Sequence, residues 1–111
     1  RQMCIRDSFY PRFQVINELQ FPISVRGELT SELTECKCNK VTSFWPGCKD
    51  DHSLVVKIRQ GKPTMAIPLG TTQQTVIRAD ASTDDACSFI SIVVFVDVRT
   101  ATTEIRIGWW E

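Results

Sequence analysis

The chain has 111 residues, with 13 basic and 13 acidic side chains and one histidine, so its formal net charge is zero. A near-neutral chain lacks the basic surface that binds nucleic acids or anionic membranes. No apolar stretch approaches the ~20 residues of a membrane-spanning helix. This length predicts one domain with a modest hydrophobic core.

The first eight residues are expected to differ in origin from the rest of the chain. A transposon adapter common in sequencing libraries, read in one frame, translates as Arg-Gln-Met-Cys-Ile-Arg-Asp, and its last bases fit Ser8. We interpret residues 1–8 as an adapter translation artefact from a metagenomic fragment and exclude them from fold reasoning. The native β module is expected to span residues 9–111, with 11 basic and 12 acidic side chains. We expect it to be truncated at both ends, because the chain stops just after Trp110.

The first strand signal is a period-2 alternation between Phe13 and Val25. Odd positions are mostly apolar and even positions mostly polar, which is typical of half-buried strands. Asn17 interrupts the apolar phase. A buried amide needs hydrogen-bond partners, and asparagine readily bonds nearby backbone. We therefore predict that the first strand turns or bulges at Asn17, whose side chain bonds the backbone groups that the break leaves free.

The middle of the chain alternates between polar segments and short strand signals. Residues 27–40 are polar, and residues 41–45 predict a short strand that ends at the Pro46-Gly47 turn. Residues 54–58 alternate again and predict another strand.

An edge strand is predicted next. Met65, Ile67 and Leu69 alternate with Ala66 and Pro68. Proline has no N–H to donate to a neighbouring strand, so Pro68 places this strand at a sheet edge. A short β-prone segment follows at residues 75–79.

The strongest strand signal covers residues 87–99. Every even position from 90 to 98 is apolar, and Phe89, Val93 and Phe95 occupy most of the opposite face. A strand that is apolar on both faces is typical of the centre of a sheet that is covered on both sides. Residues 103–110 add a last strand. Short strands separated by turns, without helical periodicity, predict an all-β fold: an antiparallel β-sandwich.

No combination of residues predicts an enzyme. His52 is the only histidine, so a catalytic triad would have to use it. Asp50 and Asp51 are adjacent to each other and do not face one another as an acid/base pair. We therefore interpret His52 as a polar loop residue and predict a non-catalytic chain without a cofactor.

The cysteines leave several alternatives open. Cys36, Cys38, Cys48 and His52 offer a ligand set of the kind that tetrahedral zinc takes, although the spacing is not that of a standard zinc knuckle. Buried or loop thiols are the favoured interpretation, and no metal is favoured. With Cys87, four native cysteines would also permit two disulfides in a secreted domain.

A loop near residue 80 is acidic. Asp80, Asp84 and Asp85 offer oxygen ligands of the kind that calcium binds. Aspartates are also common turn residues, and we favour that role.

Two segments resemble a known family. Residues 10–26 resemble the start of a repeat in the adaptor-binding region, also called the SHORT-ROOT-binding region, of chorein-type vacuolar protein sorting proteins. Residues 43–46 and 54–58 resemble the aromatic-Trp segment and the following strand of that repeat. Gly27 stands where the family usually has Gln, and the Cys-x-Cys pair is not part of the pattern. The residues that match the first motif are Pro11, Arg12, Phe13, Val15, Asn17, Leu19, Ile23 and Arg26.

The resemblance implies a function in lipid transport at membrane contact sites. Proteins of this family are cytoplasmic, bridge-like lipid-transfer proteins that sit peripherally at organelle membranes. Their β repeats carry no lipid and bind short Pro-x-Pro adaptor peptides that select the membrane. The resemblance implies that Pro11, Arg12, Asn17 and Arg26 are repeat-motif residues. The chain would then be one repeat of a larger β array.

The expected function is a protein-interaction module whose partner is a short peptide motif of an adaptor protein. Nucleic acid is not expected as a partner, and the membrane is contacted only indirectly, through the parent protein. Such modules commonly capture a peptide as an added strand at a sheet edge. The candidate docking edge is the predicted strand with Met65, Ile67 and Leu69.

Three other functions compete with this one. A viral or phage structural or receptor-binding domain would also use a β-sandwich with a central apolar strand. A secreted binding domain would staple the sandwich with disulfides. A metalloenzyme built on the zinc set is the weakest alternative.

Overall fold

A computed structural model of the chain describes residues 12–45 and 53–110. In these two ranges the chain forms strands and loops, and it contains no helix long and apolar enough to span a membrane. The strands are β1 (Arg12–Asn17), β2 (Ile23–Gly27), β3 (Thr34–Cys36), β4 (Val41–Phe44), β5 (Ser53–Ile58), β6 (Ile67–Pro68), β7 (Gln73–Asp80), β8 (Phe89–Val98) and β9 (Thr102–Trp109).

The strands form two sheets. Sheet A has five strands in the order β4-β1-β9-β8-β7, and sheet B has four in the order β3-β2-β5-β6. The sheets pack face to face, so the fold is the predicted all-β sandwich. Strands β3 and β4 contact each other at one side of the sandwich, which we call the β3–β4 side. At the β6–β7 side, the Gln73 side chain donates to the Pro68 carbonyl oxygen over 2.8 Å.

One strand pair departs from the predicted antiparallel arrangement. Strands β1 and β9 run parallel, with Arg12 beside Thr102 and Asn17 beside Ile107. Every other pair in the described residues is antiparallel. The alternating pattern specifies which face of β1 is buried but not the direction of its neighbour, so it cannot predict this parallel pair.

The core lies between the two sheets. Both sheets turn their alternate apolar side chains inward, and full burial of one such side chain stabilises the fold by about 1.5–3 kcal/mol. The largest fully buried residues are Leu19, Ile23, Leu54, Ile58, Ile67, Ile92, Ile105 and Ile107.

The strand boundaries confirm most of the sequence interpretation. The first apolar alternation is divided after Asn17 into β1 and β2, as predicted. The predicted strand at residues 65–69 is reduced to the two residues of β6, which lies at the edge of sheet B. The polar segment 27–40 also contains β3, which the sequence analysis missed because it has three residues and only Cys36 is buried.

The prediction that β8 is covered on both faces is wrong. The strand lies inside sheet A, between β9 and β7, and its inward residues Ile92, Val94 and Val96 are fully buried. On the outward face, however, Phe89 is 48% exposed, and Phe95 is only half-buried. No element of the described residues packs over this face, because both sheets are already paired with each other. Within the described residues, the second apolar face is therefore only partly covered.

Candidate functional site

Asn17 is the polar centre of the sandwich. It is 0% exposed, and its side-chain nitrogen donates to the carbonyl oxygens of Phe21 and Cys36 at 2.9 and 3.0 Å. Its side-chain oxygen accepts from the backbone N–H of Leu19 at 3.0 Å. The side chain therefore bonds the backbone at the break between β1 and β2, as predicted. It also connects β1 of sheet A to β3 of sheet B.

The backbone around Asn17 is bonded as well. Its N–H donates to the carbonyl oxygen of Lys40 at 3.2 Å, and its carbonyl oxygen accepts from the N–H of Asn39 at 2.7 Å. Asn39 has a φ of 58°, in the left-handed region that asparagine tolerates better than most residues. This conformation turns the chain between β3 and β4 so that both reach Asn17. The result is a cluster at the β3–β4 side in which one asparagine bonds the backbone of five residues in the stretches 19–21 and 36–40.

The other residues of the resemblance are dispersed. Pro11 lies outside the described residues, and Arg12 begins β1, where its backbone pairs with Thr102. Arg26 lies in β2, and its guanidinium nitrogen Nη1 lies 3.1–3.2 Å from the carbonyl oxygens of Gly27, Glu28 and Thr30. Arg26 therefore stabilises the turn after β2, and it does not contact Asn17.

The candidate docking edge at β6 divides into buried and exposed residues. Ile67 and Leu69 are 1% and 2% exposed and belong to the core, so their side chains are not available to a partner. Met65 is 69% exposed. The backbone before β6 is held to β5, because Thr64 donates its N–H to the Val56 carbonyl oxygen at 2.9 Å. A peptide docking at this edge would contact the backbone and Met65.

The described part of the zinc set does not form a metal site. Cys36 is buried and Cys38 is half-buried, and both are free thiols, as is the exposed Cys87. No group of three or more potential ligands occurs within residues 12–45 and 53–110. Burial raises the pKa of the Cys36 thiol to about 11, so this thiol stays protonated and is a poor metal ligand. Cys48 and His52 lie outside the described residues.

The first aspartate of the acidic loop, Asp80, accepts hydrogen bonds from backbone N–H groups. Asp80 accepts from the N–H of Ser82 at 3.0 Å and from the N–H of Lys62 at 3.2 Å. The Ser82 side chain and these backbone donors lower the pKa of Asp80. Its carboxylate therefore has the turn-forming role favoured above, while Asp84 lies 3.5 Å from the side-chain nitrogen of Gln60.

A glycine lets this loop approach the sheet. A Cβ atom built on Gly61 would lie 1.8 Å from the backbone oxygen of Asp80, closer than any side chain can come. The turn between β5 and β6 therefore packs directly on the end of β7. Together with the Lys62–Asp80 hydrogen bond, this contact links sheet B to sheet A at the β6–β7 side.

An aromatic cluster at one end of the sandwich was not predicted. Phe21 meets Trp109 edge to face, with ring centres 5.8 Å apart, and the Arg59 guanidinium lies 4.5 Å from the Phe21 ring centre. These residues come from three distant segments, so no local sequence pattern joins them. The free edge of β7 was missed as well, because residues 75–79 gave only a short strand signal and the strand has eight residues.

Comparisons with protein-family models, curated proteins and solved structures found no match.

Proposed function

We propose that the chain is a non-catalytic protein-interaction module, one repeat of an adaptor-binding region that targets a bridge-like lipid-transfer protein to membrane contact sites. In this proposal the module binds a short peptide motif of an adaptor protein, and the parent protein acts in the cytoplasm at organelle membranes. The module itself contacts neither lipid nor nucleic acid.

The hydrogen bonding of Asn17 is the observation that carries the proposal. The resemblance to chorein-type proteins centres on this residue, and its buried side chain bonds the backbone of Leu19, Phe21 and Cys36. A buried amide with all these partners fixes one arrangement of the surrounding chain. A repeat unit needs such a fixed arrangement if successive units are to present the same edges.

The edges of the sandwich support the peptide-binding part of the proposal. An exposed edge offers unpaired N–H and C=O groups to an extended peptide. The segment at β6 adds Met65, which is exposed, flexible and suited to contacts with varied apolar groups. At this edge Pro68 has no N–H and its carbonyl oxygen already accepts from the Gln73 side chain, so a peptide would use the neighbouring backbone groups.

The test is direct binding of synthetic peptides to the full chain. Fluorescence anisotropy should show saturable binding of a labelled Pro-x-Pro peptide and none of the matched peptide in which both prolines are alanine. Met65→Glu should weaken binding, whereas Val41→Glu, at the exposed edge strand β4 on the other side of the sandwich, should not. Equal binding of the proline and alanine peptides, or none of either, would contradict the proposal.

A further inference from the structure

The longest free edge of the sandwich belongs to β7. The sheets end in four edge strands, of which β7 has eight residues, β4 four, β3 three and β6 two. Natural proteins usually protect such edges with proline, charge or a bulge, because an unpaired strand attracts another strand. The middle of β7, Thr75-Val76-Ile77, has none of these devices.

The register with β8 shows which backbone groups point away from it. Beyond the strand, Ala81 donates its N–H to the Ser88 carbonyl oxygen at 2.8 Å in the same register. Hydrogen-bonded and non-bonded pairs alternate along an antiparallel ladder. The odd-numbered residues of β7 therefore bond β8, and Gln74, Val76 and Arg78 direct their N–H and C=O groups towards the free edge.

This edge is open in the middle and closed at both ends. Among the described residues, only β8 bonds the backbone of residues 73–80. At one end the Gln73 side chain reaches back to Pro68. At the other end Gly61 lies against the backbone of Asp80. A partner strand has room beside the segment between these two contacts.

The side chains along the open segment are complementary to themselves. Val76 is 46% exposed and lies beside the half-buried Val93 of β8. Two residues before it is Gln74 and two residues after it is Arg78, which stacks on Phe89 at 5.4 Å. If a second β7 runs antiparallel with Val76 opposite Val76, each Gln74 lies opposite an Arg78. No like charges then face each other.

We propose that two copies of the chain pair through β7 in this register, around a twofold axis between their Val76 residues. The three residues with free backbone groups, two groups each, then make six hydrogen bonds across the axis. Such a contact uses the same patch on both copies and closes on itself. Sheet A becomes one continuous sheet of ten strands, twice its five.

Of the two neighbouring registers, one is excluded by the same contacts, and the other would leave Val76 opposite Gln74 instead of a second Val76. A shift of two residues places Val76 opposite Arg78 and requires the free edge of Asp80, which Gly61 occupies. Self-complementarity also favours a second copy over a foreign peptide, because β7 itself contains every side chain that the pairing requires. The pairing extends sheet A, whereas the proposed peptide edge at β6 belongs to sheet B.

The experiment is sedimentation equilibrium of the full chain with a reductant, so that no dimer joined through the exposed Cys87 is counted. The wild type should reach twice the mass of one chain across a series that ends at about 1 mM. Val76→Lys and Val76→Glu should each stay at the mass of one chain, because like charges then face each other. An equimolar mixture of the two variants should restore the doubled mass. Val41→Lys, on the exposed β4 edge, should dimerise like the wild type.

Hydrogen exchange gives a second measurement at single residues. On dimerisation, protection should rise at the N–H groups of Gln74, Val76 and Arg78, while Thr75 and Ile77 should be protected at every concentration. A wild type that is monomeric throughout, a Val76→Lys variant that stays dimeric, or a mixture that stays monomeric would overturn the proposal. Loss of peptide binding in Val76→Lys would instead assign the β7 edge to the peptide and overturn self-pairing as its use.

Discussion

The two sides of the sandwich are joined in different ways. At the β3–β4 side, the Asn17 side chain bonds three backbone groups in the interior and connects the sheets through Cys36. At the β6–β7 side, the sheets are linked by the close approach of Gly61 to Asp80 and by a surface hydrogen bond from Gln73. Buried polar bonds have strict geometry, whereas surface bonds exchange with water.

The difference separates a region whose buried hydrogen bonds stabilise the fold from a region whose free strand edge can bind a partner. At the β3–β4 side the Asn17 side chain satisfies backbone groups in the interior, although β3 and β4 are themselves edge strands. The outward groups of β7 have no partner within the described residues, which makes the β6–β7 side the place where both proposed contacts occur.

Replacing Asn17 with Ala should have the largest effect. The change leaves the N–H of Leu19 and the carbonyl oxygens of Phe21 and Cys36 without their partner in the core. We expect the free energy of unfolding to fall by about 3 kcal/mol, measured by urea denaturation. Gln20→Ala removes an exposed amide three residues later and should change it by less than about 0.5 kcal/mol. Equal effects of the two changes would show that the β3–β4 side does not depend on Asn17.

The buried Cys36 thiol should make stability depend on pH. Burial raises its pKa from 9.0 to about 11, so between these values the unfolded chain has lost a proton that the folded chain keeps. Stability should therefore be unaffected by this thiol below pH 9 and fall by about 2–3 kcal/mol as the pH rises to 11. Urea titrations should show that Cys36→Ala removes this component and that Cys87→Ala retains it. A Cys36→Ala variant with the full wild-type pH dependence would refute the assignment.

A methyl group at Gly61 should test the other side. Gly61→Ala places a Cβ atom against the backbone of Asp80, which cannot move without displacing the end of β7. We expect a loss of about 2 kcal/mol in the free energy of unfolding. Gly70→Ala is the matched control, since no atom lies within 4 Å of the added Cβ. If both variants unfold like the wild type, the contact between the β5–β6 turn and β7 is not close.

The sequence predicted the strands better than their partners. Alternation located β1, β2, β5 and β8 because burial of one face follows directly from the pattern. It did not reveal the parallel pairing of β1 with β9, since direction depends on the path of the chain between them. The apolar outward face of β8 was misinterpreted because the pattern shows hydrophobicity and not whether anything covers it.

The candidate site shows the same division. Asn17 was predicted from one property, a polar residue in a buried phase, and the structure supplies the partners that this property requires. The free edge of β7 had no comparable signal. An edge is defined by the absence of a neighbouring strand, and that depends on the arrangement of the whole sheet.

The parallel pairing of β1 and β9 has a consequence for how such modules can be connected. Arg12 lies beside Thr102, and β9 then runs seven residues further to Trp109. At a rise of about 3.3 Å per residue, the start of β1 and the end of β9 are about 23 Å apart. A linker before β1 and a linker after β9 would leave from opposite ends of the sandwich. Modules joined in series would then lie end to end along the strand direction, with their edge strands facing outward.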